Sequence, residues 1–448
     1  MQKKRIVKSI LASSLALSLV LGGCSSGGSS SQGASGASVA ESSASAGKTE
    51  LTLWTWSPIE RTAKKMVADF EAKHPDIKIN YSNYNYDPEY LAALSAGAAA
   101  NNLPDIIGTQ PGSLTQQYRD YLVPLDSYAK KAWGDNWTDK FYKIASSQIK
   151  LGNPSGDDNS YLLPIETQII NIYYNKTLFN QLGITVPKTY ADLKAAAQKL
   201  KAAGKAPMFQ GGADGWQNVN VYLMLVSQID TKVFDEAQAG TVKWTDEKLV
   251  RAMKNWKKLF DDGIIQAGAL SAHSYPDGVN ALTSQNAGMI ALGSWWPQEY
   301  TASNAAQTVK DWVFDDFYLP PVEDGLTESQ PIGGIDFGYA ITKSCKNVDA
   351  AWTALQSFAA EEGNQACVND LNDLSAFKGI QPTGDIPDSI KTQVKDYSSK
   401  LDGCMNQRIG EPTVQTALQD ALAGVASGEL TPEAGMENVQ KAQDKLKS

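Results

Sequence analysis

The chain has 448 residues, 42% of them hydrophobic, with 40 Lys plus Arg against 49 Asp plus Glu, a formal charge of −9, 11 Trp, 18 Tyr, four Cys and two His. That length holds a large core and suggests about two or three domains, while the acidic balance argues against a protein built to grip phosphate backbones, so no nucleic acid partner is expected. Two His in the whole chain weigh against Ser/His/Asp chemistry, Cys/His chemistry and a His-rich zinc site.

The first element in chain order is an address. Lys3, Lys4, Arg5 and Lys8 precede an apolar run from Ile10 to Leu21, and Leu21-Gly22-Gly23 forms a small-residue cleavage site before Cys24. A run of that length is too short to cross about 30 Å of hydrocarbon as a helix, so residues 1–23 are predicted to be an export signal. The Leu-Gly-Gly-Cys ending resembles the lipobox of bacterial lipoproteins, which implies a diacylated Cys24 at the start of the mature chain. Cleavage there would remove four cations and deepen the acidic surplus. From Ser25 to Lys48, 20 of 24 residues are Ser, Gly or Ala, a composition that buries no core and behaves as a flexible tether for residues 24–48. No later run is apolar enough to span a bilayer, so transport would need a membrane partner.

The body reads as alternating strands and helices. Leu51 to Thr55 is a strand, and Ser57-Pro58-Ile59-Glu60 reads as a capping box with Pro at the first helical position. Ile59, Ala63, Met66, Val67 and Phe70 follow at helical spacing up to His74-Pro75. Ile77 to Tyr81 alternates as a strand, Asp87-Pro88 opens a helix to about Ala100, and Pro104 to Gly108 is a third strand. Strand, helix, strand, helix, strand implies right-handed crossovers and a parallel sheet. A second unit repeats the grammar. Its strands are predicted at Ile169 to Tyr174, Pro207 to Gln210, Ala287 to Leu292, Trp312 to Tyr318 and Asp336 to Thr342. Its helices are a Thr189-capped segment, Gln217 to Ile229, one from Thr245 to Gly263, and others from Asn347 onward. Two α/β units in one chain usually enclose a cleft.

In open α/β sheets ligands sit beyond the carboxyl ends of strands. The first strand ends in Trp54, Trp56 and Ser57, the third in Thr109 and Gln110, and Tyr84 and Tyr86 flank the turn after the second. The Pro207 strand leads into Gly211-Gly212-Ala213-Asp214-Gly215-Trp216, the Ala287 strand into Gly293-Ser294-Trp295-Trp296. Aromatic faces stack on the C–H faces of pyranose rings, and carboxylates and amides pair with hydroxyls, so this set suits a polyol. Each strand-end aromatic has core packing as its competing reading, whereas Trp256 and Trp352, on amphipathic helices, and Tyr81, in a strand, read as core. Glu166, between Leu163-Pro164-Ile165 and a strand, is the foremost candidate carboxylate, with amide capping at a hinge as its alternative.

Several segments together resemble family 1 of the extracellular solute-binding proteins of bacterial ABC transporters, the group that contains maltose-binding protein. They are LTLWTW at 51–56, LPDII at 103–107, YLLPIET at 161–167 leading to YYNK at 173–176, GSWW at 293–296 and GGIDFGYA at 333–340, in that family's order. The resemblance implies an α/β, two-lobe periplasmic-binding-protein-like fold with a hinge and an interlobe ligand cleft. The lobes would comprise residues 49–165 with 336–379, and 166–335 with 380–448. It implies a lipid-anchored monomer on the extracytoplasmic face of the cell membrane that hands an oligosaccharide to ABC permease subunits, and it adds Asp336 and Phe337 to the ligand-facing candidates. The loop carrying Asp214 and Trp216 is where the family's pattern is least constant.

No enzyme, cofactor or metal is expected. Gly-x-Gly-x-x-Gly, Gly-x-x-x-x-Gly-Lys-Ser/Thr and Gly-x-Ser-x-Gly are absent. The competing readings are an extracellular glycoside hydrolase using Glu166 and Asp336, and the same fold binding a non-sugar solute. With Cys24 lipidated, Cys345, Cys367 and Cys404 remain; one disulfide plus a free thiol, with Cys367–Cys404 as the pair, or a fully reduced set both fit.

Overall fold

The structure, a computed structural model, describes residues 48–298, 312–371, 373–383 and 388–446. The export signal, Cys24 and the tether before Lys48 lie outside the described residues. No helix among the described residues is long and apolar enough to cross a membrane.

Strand β1 (Thr49–Thr55) alternates so that Leu51, Leu53 and Thr55 face inward. Helix α1 (Glu60–Lys73) lays Ala63, Met66 and Phe70 on the sheet and returns the chain to β2 (Ile77–Asn83) and then β3 (Ile106–Thr109). The capping box expected before α1 does not form. Ser57 is held in the turn after β1, its N–H donating to Thr55 Oγ1 at 3.2 Å, and Ile59 occupies the cap position without a side-chain bond. A Thr189/Asp192 capping box does form, at the start of α2 (Tyr190–Ala202).

Between those elements runs β4 (Leu163–Asn175), a 13-residue strand buried throughout. Then come β5 (Ala206–Phe209), α3 (Gly215–Ile229), α4 (Glu247–Asp261), β6 (Ala287–Gly293), β7 (Phe314–Phe317) and β8 (Ile332–Ile341). Helices α5 (Val348–Ala360) and α6 (Glu362–Leu371) lead to β9 (Leu374–Ser375), and α7 (Asp388–Lys400) leads to β10 (Met405–Asn406). Helices α8 (Pro412–Ser427) and α9 (Pro432–Lys445) close the described chain.

The strand order is β2-β1-β3-β8-β4-β6-β5. The outer groups are parallel, β1 with β2 and β3, and β5 with β6. Two antiparallel strands join them: β8 pairs with β3 from Ile106↔Ile341 to Thr109↔Gly338, and β4 pairs with β6 from Ile170↔Gly293 to Tyr174↔Met289. β4 and β8 also pair with each other, with register shifts on both sides of Glu166. The prediction of a strand beginning at Ile169 was therefore too short, because a strand buried on both faces carries no polar alternation to mark its start.

Each parallel group has its own core. One gathers Leu51, Phe70, Ile106, Ile165, Phe337, Tyr339 and Phe358; the other gathers Ile172, Leu193, Tyr222, Trp244, Trp256, Leu418 and Met436. This is the two-lobed α/β architecture. Trp256 and Trp352 are core, as read, and Trp256 Nε1 donates to Leu422 O at 2.9 Å. The Cys367–Cys404 disulfide does not form: Cys345, Cys367 and Cys404 are free and buried, with Cys367 in the first core and Cys404 in a separate cluster around α7.

Candidate functional site

The carboxyl ends of the parallel strands converge on a cavity of about 270 Å³ lined from both sheet groups. One wall comes from the turns after β1, β2 and β3. Trp56 lies 4.8 Å between ring centroids from Tyr86, 5.1 Å from Tyr90 and 6.5 Å from Phe337, and Trp54 packs edge-on to Tyr84 at 5.9 Å. Tyr90 is buried and donates its hydroxyl to Gly108 O at 2.5 Å, while Tyr86 donates to Gln110 Oε1 at 3.2 Å. Gly108 is required here, because a Cβ would collide with Thr55 and press on the Trp56 ring. Ser57, Asn83, Asn85 and Asp87 complete this side.

The opposite wall carries Asp214, Trp216 and Asn220 at the start of α3, Tyr275 before a short helix, and Trp295 and Gln298 after β6. Asp214 is fixed by Ser274 N–H at 2.6 Å and by His273 Nδ1 at 2.7 Å, and that carboxylate raises the His273 pKa above its usual 6.5. Trp295 donates its indole N–H to Gln168 Oε1 at 2.8 Å, and Tyr275 leans on it at 5.7 Å and 40°. A side chain at Gly293 would strike both partners of that bond.

The floor belongs to the antiparallel strands. Gln168 comes from β4, Asp336 from β8 and Arg408 from the chain just past β10. Arg408 donates to Ile335 O from Nε and Nη2 at 3.0 and 2.7 Å and to Asp336 O from Nη2 at 2.7 Å, with Asp336 Oδ1 at 3.5 Å. Burial pushes the Asp336 carboxyl up to about 6 against the opposing pull of Arg408. Among the described lining residues Arg408 is the one Lys or Arg.

Of the residues singled out from sequence, the structure brings Trp56, Ser57, Tyr84, Tyr86, Gln110, Asp214, Trp216, Trp295 and Asp336 together on this lining. The others stand behind it. Trp54 backs Tyr84, Thr109 is buried against Thr115 Oγ1 at 3.0 Å, and Phe337 backs Trp56 from the first core. Ser294 is buried accepting Ile169 N–H at 3.2 Å, and Trp296 is buried beside Tyr173 and Phe314. Glu166 is also buried off the lining, because the register shifts around it turn its side chain into the sheet junction. Sequence reasoning missed Asn83, Asn85, Asp87, Gln168, Asn220, Tyr275, Gln298 and Arg408. One signal was available: Tyr86-Asp87-Pro88 and Ser274-Tyr275-Pro276 are matching turns, each an extended residue before Pro and then a helix, one per lobe.

The pattern of the family described as bacterial extracellular solute-binding protein matches residues 56–365. The multiple sugar-binding protein of Streptococcus mutans is 27% identical over 244 residues, 53% of this chain and 55% of that protein, so the match spans about half of that relative's length. The alpha-glucosides-binding periplasmic protein of Rhizobium meliloti is 25% identical over 428 residues, covering 90% of this chain and 88% of its own. Among solved structures, a chitin oligosaccharide binding protein superposes with a TM-score of 0.71 at 23% identity, over 89% of this chain and 98% of that one, which is a likeness of fold.

Proposed function

The chain belongs to the bacterial extracellular solute-binding protein family, and on that premise we propose that it is the sugar receptor of an ABC importer, taking an oligosaccharide between its lobes. The observation that carries this reading is one cavity with aromatic rings on both walls and a floor of Gln168, Asp336 and Arg408. Rings supply faces for pyranose C–H bonds, and the floor supplies acceptors and donors side by side for hydroxyl groups. The relatives named for sugars support the same class of ligand. The lobes would be residues 49–165 with 336–379, and 166–335 with 380–448, each holding one of the two cores. Affinity then depends on how strongly the sugar favours the closed arrangement over the open one, and the permease reads closure. On this reading the sugar leaves unaltered, and the Glu166/Asp336 pair of the hydrolase alternative is not available at the cavity, because Glu166 is buried off the lining.

Calorimetry with raffinose, maltotriose, xylotriose and chitotriose tests the reading. We expect saturable heat with at least one of them, abolished in Trp56→Ala; silence with all four, in heat and in thermal shift alike, would sink it. The lipid anchor at Cys24 belongs to the same proposal. Palmitate labelling should be lost in Cys24→Ala, with the protein moving from the membrane fraction to the medium.

A further inference from the structure

Two buried carboxyl groups meet where the sheet groups join. Glu166 lies on β4 between the two register shifts, paired with Phe337 of β8 on one side and Ser375 of β9 on the other. Asp373 immediately precedes β9. Their exposures are 1% and 0%, and no donor among the described residues reaches any of the four oxygens. Asp316, a half-buried carboxylate on β7, is by contrast well supplied with donors. Asn171, Gln393 and Tyr397 donate to it at 2.5, 2.6 and 2.7 Å.

The surroundings of the pair add no cation to compensate. Asp336 faces it from β8 and the Cys367 thiol from α6, with Asp370 on the far side of that thiol. Asp370 is taken up by Arg61 at 2.9 Å and by Thr62. Arg408 is committed to Ile335 O and to Asp336. The Ser294 hydroxyl and the Leu374 N–H face Asp373 without completing a hydrogen bond to it. Two adjacent carboxylates in such a place cannot both ionise without a large desolvation cost, whereas one proton makes the pair its own donor and acceptor.

We propose that Glu166 and Asp373 form a proton-binding site, a carboxyl pair sharing one proton, whose occupancy sets how firmly β9 is held against β4 at the junction of the two sheet groups. The chemistry of the site agrees: burial first, then the neighbouring Asp373 charge, drives Glu166 well above the usual carboxylate range, and burial pushes Asp373 up to about 7. The sign follows from linkage. Unfolded carboxyls release their protons near pH 4, so between about pH 4 and 7 the folded chain holds a proton that the unfolded chain does not. Stability from this site is complete below about pH 4 and declines as the pH climbs, through about 7 for Asp373 and then through the still higher value of Glu166. The site does not depend on the sugar reading.

The test uses the whole protein without added ligand. The infrared C=O stretch of a protonated carboxylic acid should be present at pH 6 and fade toward pH 9, and each of Glu166→Gln and Asp373→Asn should remove its share of that band. The melting temperature of the wild type should fall by about 3–5 °C between pH 4.5 and 7.5, and Asp373→Asn, whose amide can donate to Glu166, should flatten that fall. A wild-type spectrum with no acid band at pH 6 overturns the proposal, as does the same pH dependence of melting in the variants and the wild type. If one variant fails to fold, the other and the wild-type spectrum decide.

Discussion

On the wall supplied by β1 and β2, Trp56 is wedged among Tyr86, Tyr90 and Phe337, and the buried Tyr90 behind it is tied to the strand backbone. On the facing wall, Tyr275 meets Trp295 at 5.7 Å and keeps 41% of its surface exposed. The first wall borrows its rigidity from a core that exists for folding, so its rings are in place before any ligand arrives. The second rests on a smaller core, with Trp216 and Trp295 packed against the cluster of Tyr173, Leu292 and Trp296, and adds the polar bonds of Trp295 to Gln168 and of Asp214 to His273 and Ser274. Ordering a side chain on binding costs about 0.5–1.5 kcal/mol, and that cost falls most on Tyr275, the most exposed ring of the two walls.

The largest effect should come from Trp56→Ala, which strikes packing and binding together. We expect a stability loss of about 2–4 kcal/mol in denaturant titration, with sugar affinity down about 30-fold or more by calorimetry. A variant that lost affinity while keeping full stability would break the contrast between the walls. Next, Tyr275→Ala should lower affinity about 3- to 10-fold with stability unchanged within about 0.5 kcal/mol. A stability loss as large as that of Trp56→Ala would show that the second wall is as structural as the first. The smallest effect concerns pH. Asp214 raises the His273 pKa, so the ion pair is complete below about 6.5 and is lost as the pH rises through the raised value. Melting curves from pH 6.5 to 8.5 should decline slightly less in His273→Ala than in the wild type, the remainder of the fall belonging to the Glu166/Asp373 pair.

The strand-helix alternation and the strand-end rule brought sequence reading to the cavity, because both follow from local periodicity and from how parallel strands must be connected. Within each strand end the reading blurred. Trp295 and Trp296 are consecutive in the turn after β6, yet one reaches the cavity while the other enters the core beside Tyr173. Thr109 and Gln110 divide in the same way. Glu166 was misplaced by a register shift, which depends on three strands pairing at once and leaves no mark in local spacing. Arg408 was beyond reach for a similar reason. Its place in the cavity depends on a two-residue strand, β10, pairing with β8 at Met405↔Ile332.

The pairing of β3 with β8 has a consequence for the order in which the chain can fold. Ile106 finds its partner at Ile341, and the first core is unfinished without Phe337 and Tyr339. The N-terminal lobe therefore cannot complete itself until more than two hundred further residues have been made. Such long loop closures slow folding. Until then the early segments have no finished core to fold around, and what they form on their own is open to the rest of the chain as it arrives.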